Sequence, residues 1–389
     1  MPYNYILDKS NIKNLQTCAR CIYDSTIPGI SFDEKGLCNY CQQYDDMQLA
    51  YPTGSEGRII LEKHIEEVKK AGKGKQYDVV VGVSGGCDSS YMLHLAHQYG
   101  LRVLAAHFDN TFNSTIAVEN IQIVLSKLNI DLYTHVVDNH EFQDIYKSFI
   151  LSSVPNIDTP TDLALAVVHY MAAAKYGVKY IWEGHSFRTE GISPQGWFYM
   201  DGKYIQDIYQ KYGNGKIRTL PVLWLGKWLK WMAIDRIKKF RPLYYVDYDK
   251  NKTKEFLSQE YGWKWYGGHH MENRTSYFTI NYYQPIKFNI DLRYSEYSAL
   301  VRSGQMSQKE ALKKIQEPKQ FDKDILEEVK TRLGFTQVEW ESIINAPLKH
   351  YTDYKTYKRT FEILKPLFWL LYKAGYITFS FYQKYVVQK

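Results

Sequence analysis

The stretch Val79-Val80-Val81-Gly82-Val83-Ser84-Gly85-Gly86-Cys87-Asp88-Ser89-Ser90 decides the fold. Its first half is an apolar, β-branched run, the pattern of a strand buried on both faces of a parallel sheet. The run breaks into Ser-Gly-Gly and resumes as Ser90-Tyr91-Met92-Leu93-His94-Leu95-Ala96, which reads as a helix. A strand turning through glycines onto a helix start offers backbone N–H groups and the positive end of the helix dipole. That is an anion site. The hydroxyls of Ser84, Ser89 and Ser90 add donors, and Asp88 can hold a cation against the anion. The Walker lysine is missing and the glycine spacing differs, so this is a phosphate loop of another kind.

Outward from this loop the chain alternates. Strands are predicted over 77–83, 101–108, 132–137 and 179–183, with helices over 88–99, 115–128, 141–151 and 161–176. Apolar strands spaced by amphipathic helices give an α/β fold with a doubly wound parallel sheet. Ligands of such sheets sit beyond the carboxyl ends of the strands. The second strand ends in Phe108-Asp109 and the fourth in Glu183-Gly184-His185. Asp109 suits a ribose hydroxyl, Gly184 admits close approach of a ligand, and His185 adds a donor. Residues 187–219 read as loops and short elements that could fold over this edge as a lid. Residues 224–231 read as an aromatic-faced helix.

Four of the five cysteines stand before the sheet as Cys18-x2-Cys21 and Cys38-x2-Cys41, sixteen residues apart. Two CxxC knuckles at that separation match a tetrahedral zinc ribbon. An iron–sulfur cluster is the alternative ligand. The expected work is to staple a short segment that has no core of its own. A second informative block, Tyr266-Gly267-Gly268-His269-His270-Met271-Glu272-Asn273-Arg274, continues to Lys287 and Arg293 and concentrates anion-binding groups. Helices are predicted after it, over 297–303, 307–315, 321–333 and most of 351–388. The resulting division is a zinc-binding module at 1–50, a nucleotide domain at 51–250 and a substrate-contacting, helical region at 251–389.

At 389 residues, 45% hydrophobic and 23% charged, this is an ordinary globular composition with room for one large core or two. The net charge of +7 suits an anionic small ligand and is too small to indicate nucleic acid. No secretion signal and no transmembrane segment is read. The apolar tracts 220–234 and 361–387 are interrupted by lysines and read as buried helices. A cytoplasmic location is expected.

The motif Ser84-Gly85-Gly86-Cys87-Asp88-Ser89 resembles the PP-loop of the ATP pyrophosphatases, which split ATP into AMP and pyrophosphate to adenylate an oxygen. Together with the double CxxC and the Tyr266–Arg274 block running to Arg302-Ser303-Gly304-Gln305, it resembles the bacterial N-acetyl sugar amidotransferase family over roughly residues 15–330. The resemblance implies an ATP-dependent enzyme that adenylates the acetamido carbonyl of an N-acetylated, nucleotide-linked sugar. Ammonia then displaces AMP to leave an acetamidino group, for surface polysaccharide or flagellin glycan synthesis.

On that resemblance Ser84, Gly85, Gly86, Asp88, Ser89, Ser90, Phe108, Asp109, Gly184 and His185 would bind ATP, with Mg2+ on Asp88 and structural Zn2+ on the four cysteines. His269, His270, Arg274, Lys287 and Arg293 would contact pyrophosphate or sugar. Ser84, Asp88, Arg274 and Lys287 would carry the chemistry. Cys87 lies in the phosphate loop without an evident base, and Met1-Pro2 supplies no N-terminal cysteine nucleophile. Ammonia is therefore expected from a separate glutaminase subunit through a cyclase-like channel subunit. The rival enzyme is a PP-loop tRNA-thiolating enzyme, disfavoured by the lack of spare cysteines for sulfur delivery. A non-enzymatic zinc-ribbon interaction protein is the third reading.

Overall fold

The computed structural model describes residues 3–5, 14–194, 196–268 and 271–387. Seven strands occur among them: β1 (Tyr3–Tyr5), β2 (Val79–Gly82), β3 (Val103–Asp109), β4 (Asp131–Val136), β5 (Tyr180–Trp182), β6 (Lys238–Phe240) and β7 (Lys319–Phe321). β2 to β6 form one parallel sheet in the order β4-β3-β2-β5-β6. β1 pairs antiparallel with β7 away from it. The chain leaves β2 towards β3 and β4, then returns to build β5 and β6 on the other side. The switch between β2 and β5 opens a crevice where such sheets bind ligands.

The helices before and within the sheet are α1 (Asn39–Ala50), α2 (Gly54–Ala71), α3 (Cys87–Gln98), α4 (Thr115–Leu128), α5 (Asn139–Leu151), α6 (Thr159–Lys175), α7 (Gly202–Tyr212), α8 (Leu225–Ala233) and α9 (Lys250–Tyr261). After them come α10 (Arg274–Phe278), α11 (Gln284–Phe288), α12 (Arg293–Arg302), α13 (Gln308–Ile315), α14 (Lys323–Leu333), α15 (Gln337–Asn345), α16 (Lys358–Ile363) and α17 (Lys365–Lys373). The central strand is fully buried at Val79, Val80 and Val81, because helices cover both faces. α6 lies on one face with Ala164, Val167 and Val168, while α3 and α4 cover the other with Met92, Leu93, Ile121 and Val124.

Sheet and flanking helices follow the sequence pattern, and three differences stand out. Strand β6 was not expected, since Lys238 and Lys239 give it no apolar alternation; it is an edge strand whose residues are only half-buried. Residues 202–212 form helix α7 and bury Tyr204, Ile205, Ile208 and Tyr209 in the main core, so this part of the expected lid is core. The tract 361–387 buries Phe361 and Phe368 but exposes Ile363 (70%), Leu367, Trp369 and Leu370 (57%). Its apolar residues occupy two faces, and only one finds a partner.

The N-terminal module does not stand alone. Its cysteines share a cluster with Ile290, Tyr294, Ala311 and Ile315 from α12, α13 and the turn before them. Gln308 donates to the carbonyls of Cys18 (2.9 Å) and Cys21 (3.0 Å), and Arg20 donates to the carbonyl of Arg302 (3.1 Å).

Candidate active site

The crevice between β2 and β5 holds a cavity of about 340 Å³, lined by Ser84, Gly86, Asp88 and Ser89, by Phe108, and by Gly184 and His185. These sequence-expected residues are brought together by strand ends and one helix start. Gly86 is the N-cap of α3, so Cys87, Asp88 and Ser89 occupy its first turn, whose N–H groups have no intrahelical acceptor. Gly85 has φ +79°, and a Cβ there would stand 2.2 Å from the Ala117 carbonyl oxygen. Only glycine fits that conformation and contact. The Gly85 carbonyl accepts from the Trp263 indole (3.0 Å) and from Asn120 (3.2 Å), which pins the turn. Gly85 therefore shapes the loop without lining the cavity, and Ser90 is buried in α3 behind it.

Within the loop the Gly86 N–H donates to Ser84 Oγ (3.3 Å), the Ser84 N–H to Ser89 Oγ (3.3 Å), and Ser89 Oγ to the Gly86 carbonyl (3.1 Å). Ser84 Oγ also donates to Glu272 Oε1 (3.3 Å). Asp88 accepts from Lys250 Nζ (3.1 Å) and from the Tyr248 hydroxyl. Lys250 lies 3.9 Å from Glu190 Oε1, and Glu190 pairs in turn with His185 Nδ1. Burial pushes the Asp88 carboxyl up to about 6, against the pull of Lys250. Against the cost of its own burial, Lys250 is held above the ordinary lysine range by Asp88 and Glu190. The turn thus faces a lysine, delivered by α9 from 162 positions downstream of Asp88.

Lys250, Glu190 and Tyr248 escaped the sequence reading, while Tyr266 and Glu272 stand in the quoted block with no role assigned to them there. Glu272 and Asn273 reach the cavity because Ser114 N–H donates to the Glu272 carbonyl (2.9 Å) and Arg274 N–H to the Phe112 carbonyl (2.8 Å). His169, on α6, lines the opposite wall with neither ring nitrogen hydrogen-bonded. Burial and Lys239 lower its pKa to about 3, so it is a neutral imidazole. It fits over the end of β2 because Gly82 has no Cβ, which would lie 2.2 Å from the ring. Glu183 is clasped by Lys239 (2.5 Å) and Arg241 (3.1 Å), which hold it well below the carboxylate range against the cost of burial.

Four expected residues take other work. Asp109 accepts from the Thr111 N–H (2.8 Å) and from Asn113 (3.0 Å), a turn-forming role outside the cavity wall. Arg274 turns away from the loop to pair with Glu328, because α14 offers a carboxylate beside it. Lys287 is buried and donates to the carbonyls of Ile343, Ile344 (3.2 Å) and Ala346 (3.0 Å), closing the C-terminus of α15. Arg293 makes a forked pair with Asp291 (2.7 and 3.0 Å) and donates to the Glu317 carbonyl (2.8 Å). These corrections share a cause: a fixed cation is as useful to a helix end or a buried carboxylate as to a phosphate. His269 and His270 lie outside the described residues.

The four cysteines converge with every Sγ within 4.8 Å of the others, and with Cys18–Cys41 and Cys21–Cys38 at 3.7 Å. Sulfurs about 2.3 Å from one tetrahedral ion stand about 3.8 Å apart, so the cluster fits a single metal ion. Arg302 donates to Cys41 Sγ (3.3 Å) and Cys21 Sγ (3.2 Å) and lies over the Tyr23 ring. Cys87 is separate: it is buried, and burial pushes its thiol up to about 12.

Fold and site together define an α/β protein with a parallel five-stranded sheet, a Ser-Gly-Gly turn onto a helix start at the central strand, a four-cysteine module at the N-terminal side and a helical C-terminal region. Residues 272–367 match the family described as LPS biosynthesis protein WbpG-like, C-terminal domain, and this bears out the resemblance to the N-acetyl sugar amidotransferase family. No curated protein matches the chain in sequence. Among solved structures, the chain is similar to the NH3-dependent NAD synthetase from Campylobacter jejuni (12% identity, TM-score 0.33, 75% of this chain and 98% of that one). It is also similar to the U34-tRNA thiolase NcsA from Methanococcus maripaludis (11% identity, TM-score 0.31, 66% and 80%). NMN synthetase from Francisella tularensis gives 17% identity, TM-score 0.28, and 57% and 90%. Among the described residues no helix is long and apolar enough to cross a membrane.

Proposed function

We propose that the protein is an ATP-dependent amidotransferase acting on the acetamido group of an N-acetylated sugar. The observation that carries this reading is the loop Ser84–Ser89 at the start of α3, with Lys250 held against Asp88. In the reaction the acetamido oxygen attacks the α-phosphorus of ATP, the α–β phosphoanhydride bond breaks, and pyrophosphate leaves. Ammonia then adds to the activated carbon, the C–O bond to AMP breaks, and loss of a proton leaves the acetamidino group.

The first-turn N–H groups of α3, the Ser84 and Ser89 hydroxyls and the Lys250 ammonium are donors suited to the departing pyrophosphate. Held by Asp88 and Glu190, with Asp88 itself fixed by the Tyr248 hydroxyl, Lys250 needs little reorganisation as charge develops. Phe108, Gly184 and His169 line the remaining wall, where we place the adenosine. Asp88, Glu190 and Glu272 are the hard oxygen donors that magnesium takes, and Mg2+ bound there would share the phosphate charge. At the four-cysteine cluster we assign zinc in a structural role, since all four positions are protein sulfurs and none is left for a substrate.

Ammonia is proposed to come from a separate glutaminase subunit by way of a cyclase-like channel subunit. The buried, protonated Cys87 thiol supports this, because it leaves the described chain without a reactive cysteine for glutamine hydrolysis. The same point weighs against tRNA thiolation. The test is to incubate the protein with ATP, Mg2+, ammonium and a panel of free and nucleotide-linked acetamido sugars. AMP should appear together with a product in which one oxygen is replaced by NH. AMP release that depends on no acetamido sugar would overturn the reading.

A further inference from the structure

The proposed reaction makes no use of α16 and α17, and their outer side is apolar. α17 reads Lys365-Pro366-Leu367-Phe368-Trp369-Leu370-Leu371-Tyr372-Lys373. Phe368 is fully buried against Phe361 and Trp228, while Leu367, Trp369 (46%) and Leu370 are exposed together with Ile363 of α16. Single exposed apolar residues are ordinary on a protein surface, but four within eight residues of chain mark an interaction surface. Helix α8 lies beside them. The Trp228 and Phe368 ring centroids are 6.1 Å apart, and Leu225, Trp228 and Phe361 line one chamber of about 240 Å³. The residues capping α8, Trp224 and Ile234 (70%), are exposed as well. The charges that accompany these residues have one sign. Lys365 and Lys373 stand one turn to either side of Trp369, with Lys373 Nζ 5.8 Å from its ring centroid. Arg359 precedes them on α16, and Lys227 is exposed on α8. None of these four cations pairs with a carboxylate among the described residues. The carboxylates nearest to them in sequence, Glu362 and Asp235, are taken by Lys358 (3.1 Å) and Lys230 (3.5 Å).

We propose that this face lies on the surface of an anionic lipid bilayer. α17 has nine residues, too few to cross one, so the contact is peripheral. Ile363, Leu367 and Leu370 would enter the boundary between headgroups and acyl chains, with the Trp369 ring at headgroup level. Lys365 and Lys373 would run their apolar stems beside that ring and place their ammonium groups among the lipid phosphates. Unpaired cations around an apolar stripe are complementary to such a surface. They suit a protein partner less well, because lysine is depleted from the buried centre of protein interfaces. A second copy of the chain would set the same unpaired cations against each other. No residue of this face lines the loop cavity, so membrane binding and the reaction are separable by experiment.

The test floats the full-length protein on a density gradient with vesicles of phosphatidylglycerol and phosphatidylethanolamine, and separately with vesicles of phosphatidylcholine. Flotation with the anionic vesicles alone is expected, and it should weaken as salt is raised. Leu367→Ser with Leu370→Ser removes apolar surface at unchanged charge, whereas Lys365→Gln with Lys373→Gln removes charge and leaves the apolar residues in place. Each pair alters only exposed side chains and should weaken vesicle binding at least about tenfold. Val338→Ser, at an exposed apolar residue of α15, should leave binding within about twofold. The surface is overturned if the anionic vesicles are not bound, if phosphatidylcholine is bound as tightly, or if either pair binds like the unaltered protein. Sedimentation equilibrium decides the remaining occupant: a dimer that Leu367→Ser with Leu370→Ser dissolves would make the face a contact between copies and end the membrane proposal.

Discussion

The 84–89 loop and the 272–276 segment face one cavity but are specified in different ways. The loop is set by local backbone chemistry: a positive φ at Gly85, a Cβ-free contact with Ala117 and an N-cap at Gly86. The facing segment is set by partners far away in sequence. Phe112 and Ser114 fix the backbone of Glu272–Arg274, and Glu328 then draws the Arg274 side chain off the site. Local chemistry can be read from the residues that carry it. A side chain's choice between two carboxylates or between a helix end and a phosphate cannot, because the competitor lies elsewhere in the chain.

Exchanging the two kinds of position should break or sharpen that contrast. Gly85→Ala forces the positive φ and the 2.2 Å contact, and AMP formation should be lost in a protein that still folds by circular dichroism. Lys250→Met should lower AMP formation about 10²–10³-fold, whereas Arg274→Met should change it by less than about twofold. If Arg274 proved the costlier of the two, the assignment of Lys250 to the loop would be wrong. Acid titration probes the sheet instead. His64 accepts from the Trp182 indole (3.1 Å) and stacks on Phe240, and burial lowers its pKa to about 3. Between about pH 6.5 and 3 the unfolded imidazole binds a proton that the folded one does not. His64 therefore costs about 1.4 kcal/mol of stability for each pH unit of fall, and urea unfolding of His64→Gln should show a flatter acid limb. Smallest in functional terms, Lys287→Met should cost about 2 kcal/mol of stability through the lost closure of α15 and leave the KM for ATP unchanged.

Much of the fold was legible because burial leaves a period in the chain. The Val79–Val83 run, the helices α3 to α6 and the CxxC pairs all appear close to where the sequence places them. β6 was not legible, because an edge strand written Lys238-Lys239-Phe240 has neither alternation nor an apolar run. At the site, Ser84, Asp88, Ser89, Gly184 and His185 follow from strand ends and one turn. Lys250 has no such signature. It sits on a polar helix among other lysines, and only the packing of α9 against α3 brings it to Asp88. Asp109 and Lys287 show the converse, a suggestive residue type satisfied by its own neighbourhood.

Arg302 joins two things that are distant in purpose. It ends α12 and grips the cysteine sulfurs, while Leu292, Ser295 and Glu296 at the other side of that helix and its approach line a chamber of about 320 Å³ that borders the loop cavity through Asp162 and Ser276. The 84–89 loop is tied instead to Asn120 of α4 and to Trp263. Replacing the cysteines should therefore act unevenly, loosening α12 and the chamber it lines while the 84–89 loop keeps its own ties.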